Sequence, residues 1–168
     1  MFHIARHEEV TFSAYQTDEK QARQMFDNFE FNNRKDITKA MLYWWLFHNG
    51  TDQKQIDAKL DIEHILARRH NEKYGSVPPE IIEKLGNKAL LETSCNIAAS
   101  DYPFKNKREF YKGKNAKKGC TPRQTQNEEL LSLCEREDFT EQDIRNRDKQ
   151  ILDAFFQFLR DQGVVSHP

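Results

Sequence analysis

Leu60-Asp61-Ile62-Glu63-His64-Ile65-Leu66 and Leu85-Gly86-Asn87-Lys88-Ala89-Leu90-Leu91-Glu92 are the two stretches whose reading decides the fold. In the first, Leu60, Ile62 and Leu66 alternate with Asp61, Glu63 and Ile65, the period expected of a short strand. Asn87 to Glu92 is the next extended candidate, so the two stretches predict a hairpin with a long loop. Within that loop Arg68 to Val77 reads as a polar connection. Pro78-Pro79-Glu80 starts a short helix with proline in its first turn, and Leu85-Gly86 ends it as a C-cap. Asn96 then opens a helical stretch.

Outward from the hairpin the period becomes helical. Ala22, Met25, Phe26 and Phe29 mark one helix, and Ile37, Ala40, Met41, Trp44, Trp45 and Phe47 mark a second before an Asn49-Gly50 stop. The Tyr43-Trp44-Trp45 cluster sits on such an apolar face and reads as packing. Downstream, Pro103 to Tyr111 is predicted helical up to Gly113, and Asn127 to Glu135 gives a short helix. Thr140-Glu141-Gln142-Asp143 resembles a capping box for a last helix running to Gly163. The expectation is a single-domain α+β protein over 1–168, mostly α-helical. N-terminal helices lie in 18–57, a two-stranded hairpin with its adjacent helix in 58–113, a basic loop in 114–123 and C-terminal helices in 124–163.

At 168 residues, with 37% hydrophobic and 32% charged residues, the chain is polar, but its 12 Phe and 2 Trp are enough material for a core. The longest apolar run, Ala40 to Phe47, is far short of the ~20 residues that span a bilayer, so a cytoplasmic protein is expected. Cys95, Cys120 and Cys134 make no CxxC pair and read as ordinary thiols, which argues against structural zinc. No phosphate-binding glycine loop of the G-x-x-x-x-G-K-[ST] kind is present. The net charge of −1 hides a basic stretch: Lys105 to Arg123 holds eight basic residues against Glu109 alone, net +7, which suits a polyanion.

Hydrolysis of a phosphodiester needs a base for the attacking water and a cation where charge develops on the phosphate oxygens. Histidine, with an unperturbed pKa of ~6.5, suits the first task. Magnesium suits the second and usually takes only one or two protein oxygens, such as Glu63 and Asn96 could supply. A lone Glu-His dipeptide is usually a surface or hydrogen-bonded pair; Gly86-Asn87 and Asn96 downstream give this one its meaning. His70 is a weak candidate for a zinc site with His64, because the spacing matches no H-E-x-x-H helix. His3, His7, His48 and His167 carry no assignment.

Asp61-Ile62-Glu63-His64-Ile65, then Leu85-Gly86-Asn87 with Leu90-Leu91, and then Asn96, resemble the HNH (His-Me finger, ββα-metal) endonucleases. Within them the order EHI, LGN, LL, N, F, K is similar to the nuclease domain at the C-terminus of GmrSD-type, modification-dependent restriction systems. Phe104 to Lys107 and Ile144-Arg145-Asn146-Arg147 fit its later positions, and the resemblance runs from about Asp36 to Leu159. It implies a ββα-metal site cutting DNA: His64 the general base, Glu63 and Asn96 metal ligands with Asp61 replacing or assisting Glu63, and Asn87 orienting the His64 loop. Mg²⁺, or Mn²⁺, is the implied cofactor. Lys105, Lys107, Arg108, Lys112 and Lys114 are the expected DNA contacts. A nucleotide-using, ParB-like sensor, joined or separate, is the implied partner. Glu63 and His64 can serve one site only if the strand ends or distorts there. The chain departs from the family at Ala67-Arg68, where Pro-Gln is common, and at Lys88-Ala89. The rival expectation is a DNA-binding or toxin-type module with the same fold and no cleavage.

Overall fold

A computed structural model describes residues 17–50, 59–75, 77–116, 118–119, 121–165 and the backbone of 166. Lys117 and Cys120, read above as part of the basic loop and as a thiol, lie outside them, as do His3, His7 and His167. The chain divides into two compact units, one of Glu30–Ile151 and one drawn from Met1–Phe29 with Leu152–Pro168.

In the larger unit, helix α2 (Asp36–His48) precedes strand β2 (Leu60–His64), helices α3 (Arg68–Tyr74) and α4 (Pro79–Ile82), a single 3₁₀ turn (Leu85–Asn87) and strand β3 (Lys88–Glu92). Helices α5 (Thr93–Ala99), α6 (Phe104–Tyr111) and α7 (Glu128–Leu133) follow, and then α8 (Glu141–Asp161), which runs on into the smaller unit. β2 and β3 pair antiparallel with Leu60 opposite Glu92 and His64 opposite Lys88. The protein is therefore the mostly helical α+β fold expected from the hydrophobic periods, with eight α-helices among the described residues.

β3 is buried along Lys88 to Leu91, with α2 against it. Ile65, Ala89, Leu91, Phe104, Tyr111, Leu130, Phe139 and Ile144 form one apolar cluster that joins the hairpin to α6, α7 and α8. Of the Tyr43-Trp44-Trp45 cluster, Trp45 is buried, its indole N–H donating to Glu129 Oε2 at 2.9 Å, while Tyr43 and Trp44 are half-buried. α8 starts with the expected box: Thr140 N–H donates to Asp143 Oδ2 at 2.8 Å and Asp143 N–H to Thr140 Oγ1 at 3.3 Å.

Two local expectations change. Arg68 to Tyr74, read as a polar connection, is helix α3; its sequence is nearly all polar, with no apolar stripe to mark it. Asn96 does not open its helix, which starts at Thr93. The role of Gly86 also differs from a helix cap. A Cβ there would run into the Ile144 carbonyl oxygen and the Asp148 amide of α8, so glycine is needed because two backbones meet. Gly86 N–H donates to Asp148 Oδ1 at 3.0 Å.

The smaller unit holds strand β1 (Thr17–Asp18), helix α1 (Glu19–Asp27), the end of α8 and strand β4 (Val165–Ser166), with β1 and β4 parallel. Glu19 accepts hydrogen bonds from Arg160 and Arg23, which hold its carboxyl below the usual range, and Phe26 packs on Phe155 and Phe156.

The contact between α8 and the 3₁₀ turn gives a test. Arg147, 4% exposed, donates through Nη1 to the carbonyls of Leu85, Gly86 and Lys88 at 3.1, 3.0 and 2.8 Å, and through Nε and Nη2 to Glu129. Arg147→Met strands a buried carboxylate and is expected to cost about 3–5 kcal/mol in urea unfolding, and Gly86→Ala is expected to fail to accumulate as folded protein. Wild-type stability of either variant would disprove that this contact closes the fold.

Candidate functional site

β2 ends at His64, and this solves the problem of adjacent side chains on a strand. Glu63, His64 and Asn96 all line one open cleft of about 660 Å³. Asp61 does not reach it.

Glu63 is 4% exposed. Its Oε1 accepts from Lys107 Nζ at 2.7 Å and from the Tyr111 hydroxyl at 2.6 Å, so both bonds fall on one oxygen. Tyr111 is fully buried, and that burial, with the Glu63 charge beside it, holds the phenol far above its usual pKa, so it stays a donor. Lys107 Nζ also donates to the His64 carbonyl at 2.6 Å, tying α6 to the end of β2.

Asn87 is fully buried and works on the backbone after His64. Its Oδ1 accepts from Leu66 N–H at 2.8 Å, and its Nδ2 donates to the carbonyls of Leu66 and Ile82 at 3.0 and 2.9 Å. The Ile65 N–H adds a bond to the Asn87 carbonyl at 2.9 Å. The loop that carries the histidine ring is thus clamped from the 3₁₀ turn. Asn96 is half-buried, and its side-chain amide makes no hydrogen bond with a described residue.

The basic residues sort differently from expectation. Lys107, grouped with the exposed basic stretch, is 1% exposed and is paired to Glu63. Lys105 lines a separate depression beside Phe104 and Phe139. Lys112 pairs with Glu135 at 3.0 Å, Lys114 lies 3.8 Å from Glu109, and Arg108 donates to the Glu137 carbonyl at 3.3 Å. Of the five, only Lys107 borders the cleft; Arg34, Arg68 and Arg69 border it as well, and all three are exposed. In the sequence Arg68 stands out only as a departure from the family pattern and Arg69 not at all, and both sit in a stretch that reads as a connection.

Two further residues adjoin the site: Glu83, which no motif marks, and Lys88, which stands out in the sequence only as a departure from the family pattern. Lys88 is fully buried, its Nζ donating to Glu83 Oε2 at 2.6 Å and to the Phe31 carbonyl, and Glu83 faces the His64 ring. A lysine in a strand reads as a surface residue from sequence, and only the fold shows it sealed. The thiols of Cys95 and Cys134 are pushed by burial to about 12 and about 11, so neither is a ready nucleophile. Among the described residues no group of three His, Cys, Asp or Glu could hold a metal ion, and no helix is long and apolar enough to cross a membrane.

A cleft at the end of a clamped hairpin, lined by a carboxylate, an imidazole and an amide, has the groups needed for hydrolytic chemistry on a polar substrate. The comparison with protein families agrees: residues 11–154 match the family described as the C-terminal domain of GmrSD restriction endonucleases, and the chain belongs to that family. This membership indicates a nuclease-type function in restriction. Neither curated proteins nor solved structures gave a match.

The Glu63–Lys107 pair is testable by a double-mutant cycle. Lys107→Met leaves a buried carboxylate with a single donor and is expected to cost about 3–5 kcal/mol. In the Glu63→Gln background the same change should cost about 0.5–3 kcal/mol less. Additive losses in urea unfolding would show that the two groups do not interact.

Proposed function

We propose that this chain is a metal-dependent DNA endonuclease of the HNH kind, acting in restriction of foreign or modified DNA. One observation carries the reading: Glu63 and His64, at the end of β2, and Asn96, in α5, line the same cleft. The donor set fits a hard divalent cation. Glu63 Oε2 is not taken up by Lys107 or Tyr111, the Asn96 amide is unpartnered by any described residue, and Mg²⁺ or Mn²⁺ usually takes one or two protein oxygens and water. When bound, such an ion supplies positive charge to the phosphate oxygens as the bond breaks.

The remaining roles belong to the chain itself. His64 accepts the proton of the attacking water. Asn87 holds the loop so that the ring stays in place, and Lys107 with Tyr111 fixes the Glu63 carboxylate. Arg34, Arg68 and Arg69, which line the cleft, meet the DNA phosphates. A ParB-like, nucleotide-using sensor is the partner this reading adds.

One observation favours the rival, a module that binds DNA without cutting it: the Lys107 ammonium already sits on Glu63, where a cation ligand would be needed. Plasmid cleavage over a magnesium titration separates the two. General-base assistance contributes ~10²–10⁴-fold, so His64→Ala should lose that much cleavage and keep DNA binding. Asn96→Ala should lose metal affinity and recover in part at high magnesium. A wild-type protein that binds plasmid but leaves it intact at every magnesium concentration would favour the rival.

Binding gives a second test. Replacing Arg34 and Arg69 by Gln should lower the slope of log K against log salt by about one unit for each phosphate that no longer meets a cation. The Lys105, Lys112 and Lys114 triple replacement should change it less. The reverse order would put the DNA on the α6 side of the unit.

A further inference from the structure

Beside His64, on the lining of the same cleft, lies a second carboxylate, Glu83. Glu83 Oε1 is 3.4 Å from His64 Nε2, within ion-pair range. Nε2 is sealed from solvent and makes no hydrogen bond, an unusual state for a buried polar atom. That separation is a few tenths of an ångström longer than a normal N–H···O bond of about 3 Å. The other oxygen of Glu83 is fixed by Lys88 Nζ at 2.6 Å, and Lys88 is fully buried and is held again by the Phe31 carbonyl. Arg68 Nη1 lies 3.9 Å from Oε1 on the exposed side. His64 and Lys88 together draw the Glu83 carboxyl down to about 2, against the opposing effect of its partial burial.

We infer that Glu83 is the positioning residue of His64: it accepts the Nε2 proton, and Lys88 anchors it for that purpose. Neutral imidazole carries one proton, so placing it on Nε2 leaves the lone pair on Nδ1. Because Nε2 is sealed, a water in the cleft cannot reach it, and Nδ1 is the ring nitrogen left to take a proton. Without a fixed acceptor at Nε2 the ring would divide between two tautomers and rotate. The orientation of His64 follows from contacts within this chain, and its consequence for cleavage rests on the nuclease reading above.

Removing Glu83 alone would strand a buried ammonium, so the variant that keeps the protein foldable is Glu83→Leu with Lys88→Met, which takes out both charges at similar volume. The protein is labelled with ¹⁵N-histidine and studied free of metal, at a pH above which the His64 signals stop changing; His64→Gln assigns them. The expected spectrum has His64 as the Nε2–H tautomer in wild type and as a mixture or the Nδ1–H form in the double variant. With plasmid and magnesium, kcat should fall about 10–100-fold while DNA affinity and KM stay within about twofold, and Glu83→Asp should recover part of the loss. A wild-type ring with its proton on Nδ1, or a tautomer unchanged by the double variant, overturns the inference. A wild-type protein that never cuts DNA overturns the nuclease reading and leaves the spectral result to decide this one.

Discussion

Arg147 projects from α8 onto the Leu85–Asn87 turn and donates to three of the carbonyls in and after it, while the other edge of its guanidinium grips Glu129. Buried carbonyls must find donors, and a guanidinium offers five in a fixed plane where a lysine offers a point charge. The grip draws α8 so close that Gly86 has no room for a side chain. It also sets where β3 starts, and thereby the register that puts His64 across from Lys88. Asn87, in the same turn, fixes Leu66 and with it the loop after His64. The site is thus positioned by a chain of contacts that begins on a helix about sixty residues later in sequence than the turn.

The histidine at the centre of this arrangement is bracketed by two carboxylate–lysine pairs of similar design. Glu63 pairs with Lys107 and Glu83 with Lys88, and both carboxylates line the cleft. Each lysine is almost completely buried and also donates to a main-chain carbonyl, Lys107 to His64 and Lys88 to Phe31. Buried ion pairs of this kind contribute little net stability, because desolvation offsets attraction. Their effect is directional: each carboxylate can occupy one position only, and the lysines bind backbone that a looser contact would let drift.

How far the sequence predicts this follows from the range of each interaction. The hairpin strands, the capping box at Thr140 and the long last helix are legible, since alternation, spacing and capping are local. Glu63, His64, Asn87 and Asn96 are legible only as a pattern in order, and their convergence depends on β2 ending at His64. Helix α3 is hidden by its polar composition. Lys88 and Arg68, two of the positions where the chain departs from the family pattern, share one neighbour, Glu83, which no motif marks. A basic residue in a sequence reads as exposed, because Lys and Arg almost never bury unless paired. Lys88, Lys107 and Arg147 are exceptions, sealed by Glu83, Glu63 and Glu129, and of these partners only Glu63 belongs to the motif.

The burial of Lys107 also bears on when the site is formed. In a small metal domain whose ligands have no other partners, like charges repel until the ion arrives, and folding waits for the metal. Here the chain itself supplies an ammonium and a phenol to Glu63, an asparagine to the following loop and an arginine to the turn behind it. The carboxylate is therefore oriented by protein donors, and the cleft owes its shape to them. An incoming cation would have only to share Glu63 with Lys107, and the cost of that sharing is electrostatic. Affinity in such a site is set by how far the lysine charge opposes the ion, whereas geometry is set by the fold. On the proposed reading the two would change independently: substitutions around Lys107 would tune how strongly a cation is held, and substitutions around Arg147 and Gly86 would decide whether the cleft keeps its shape.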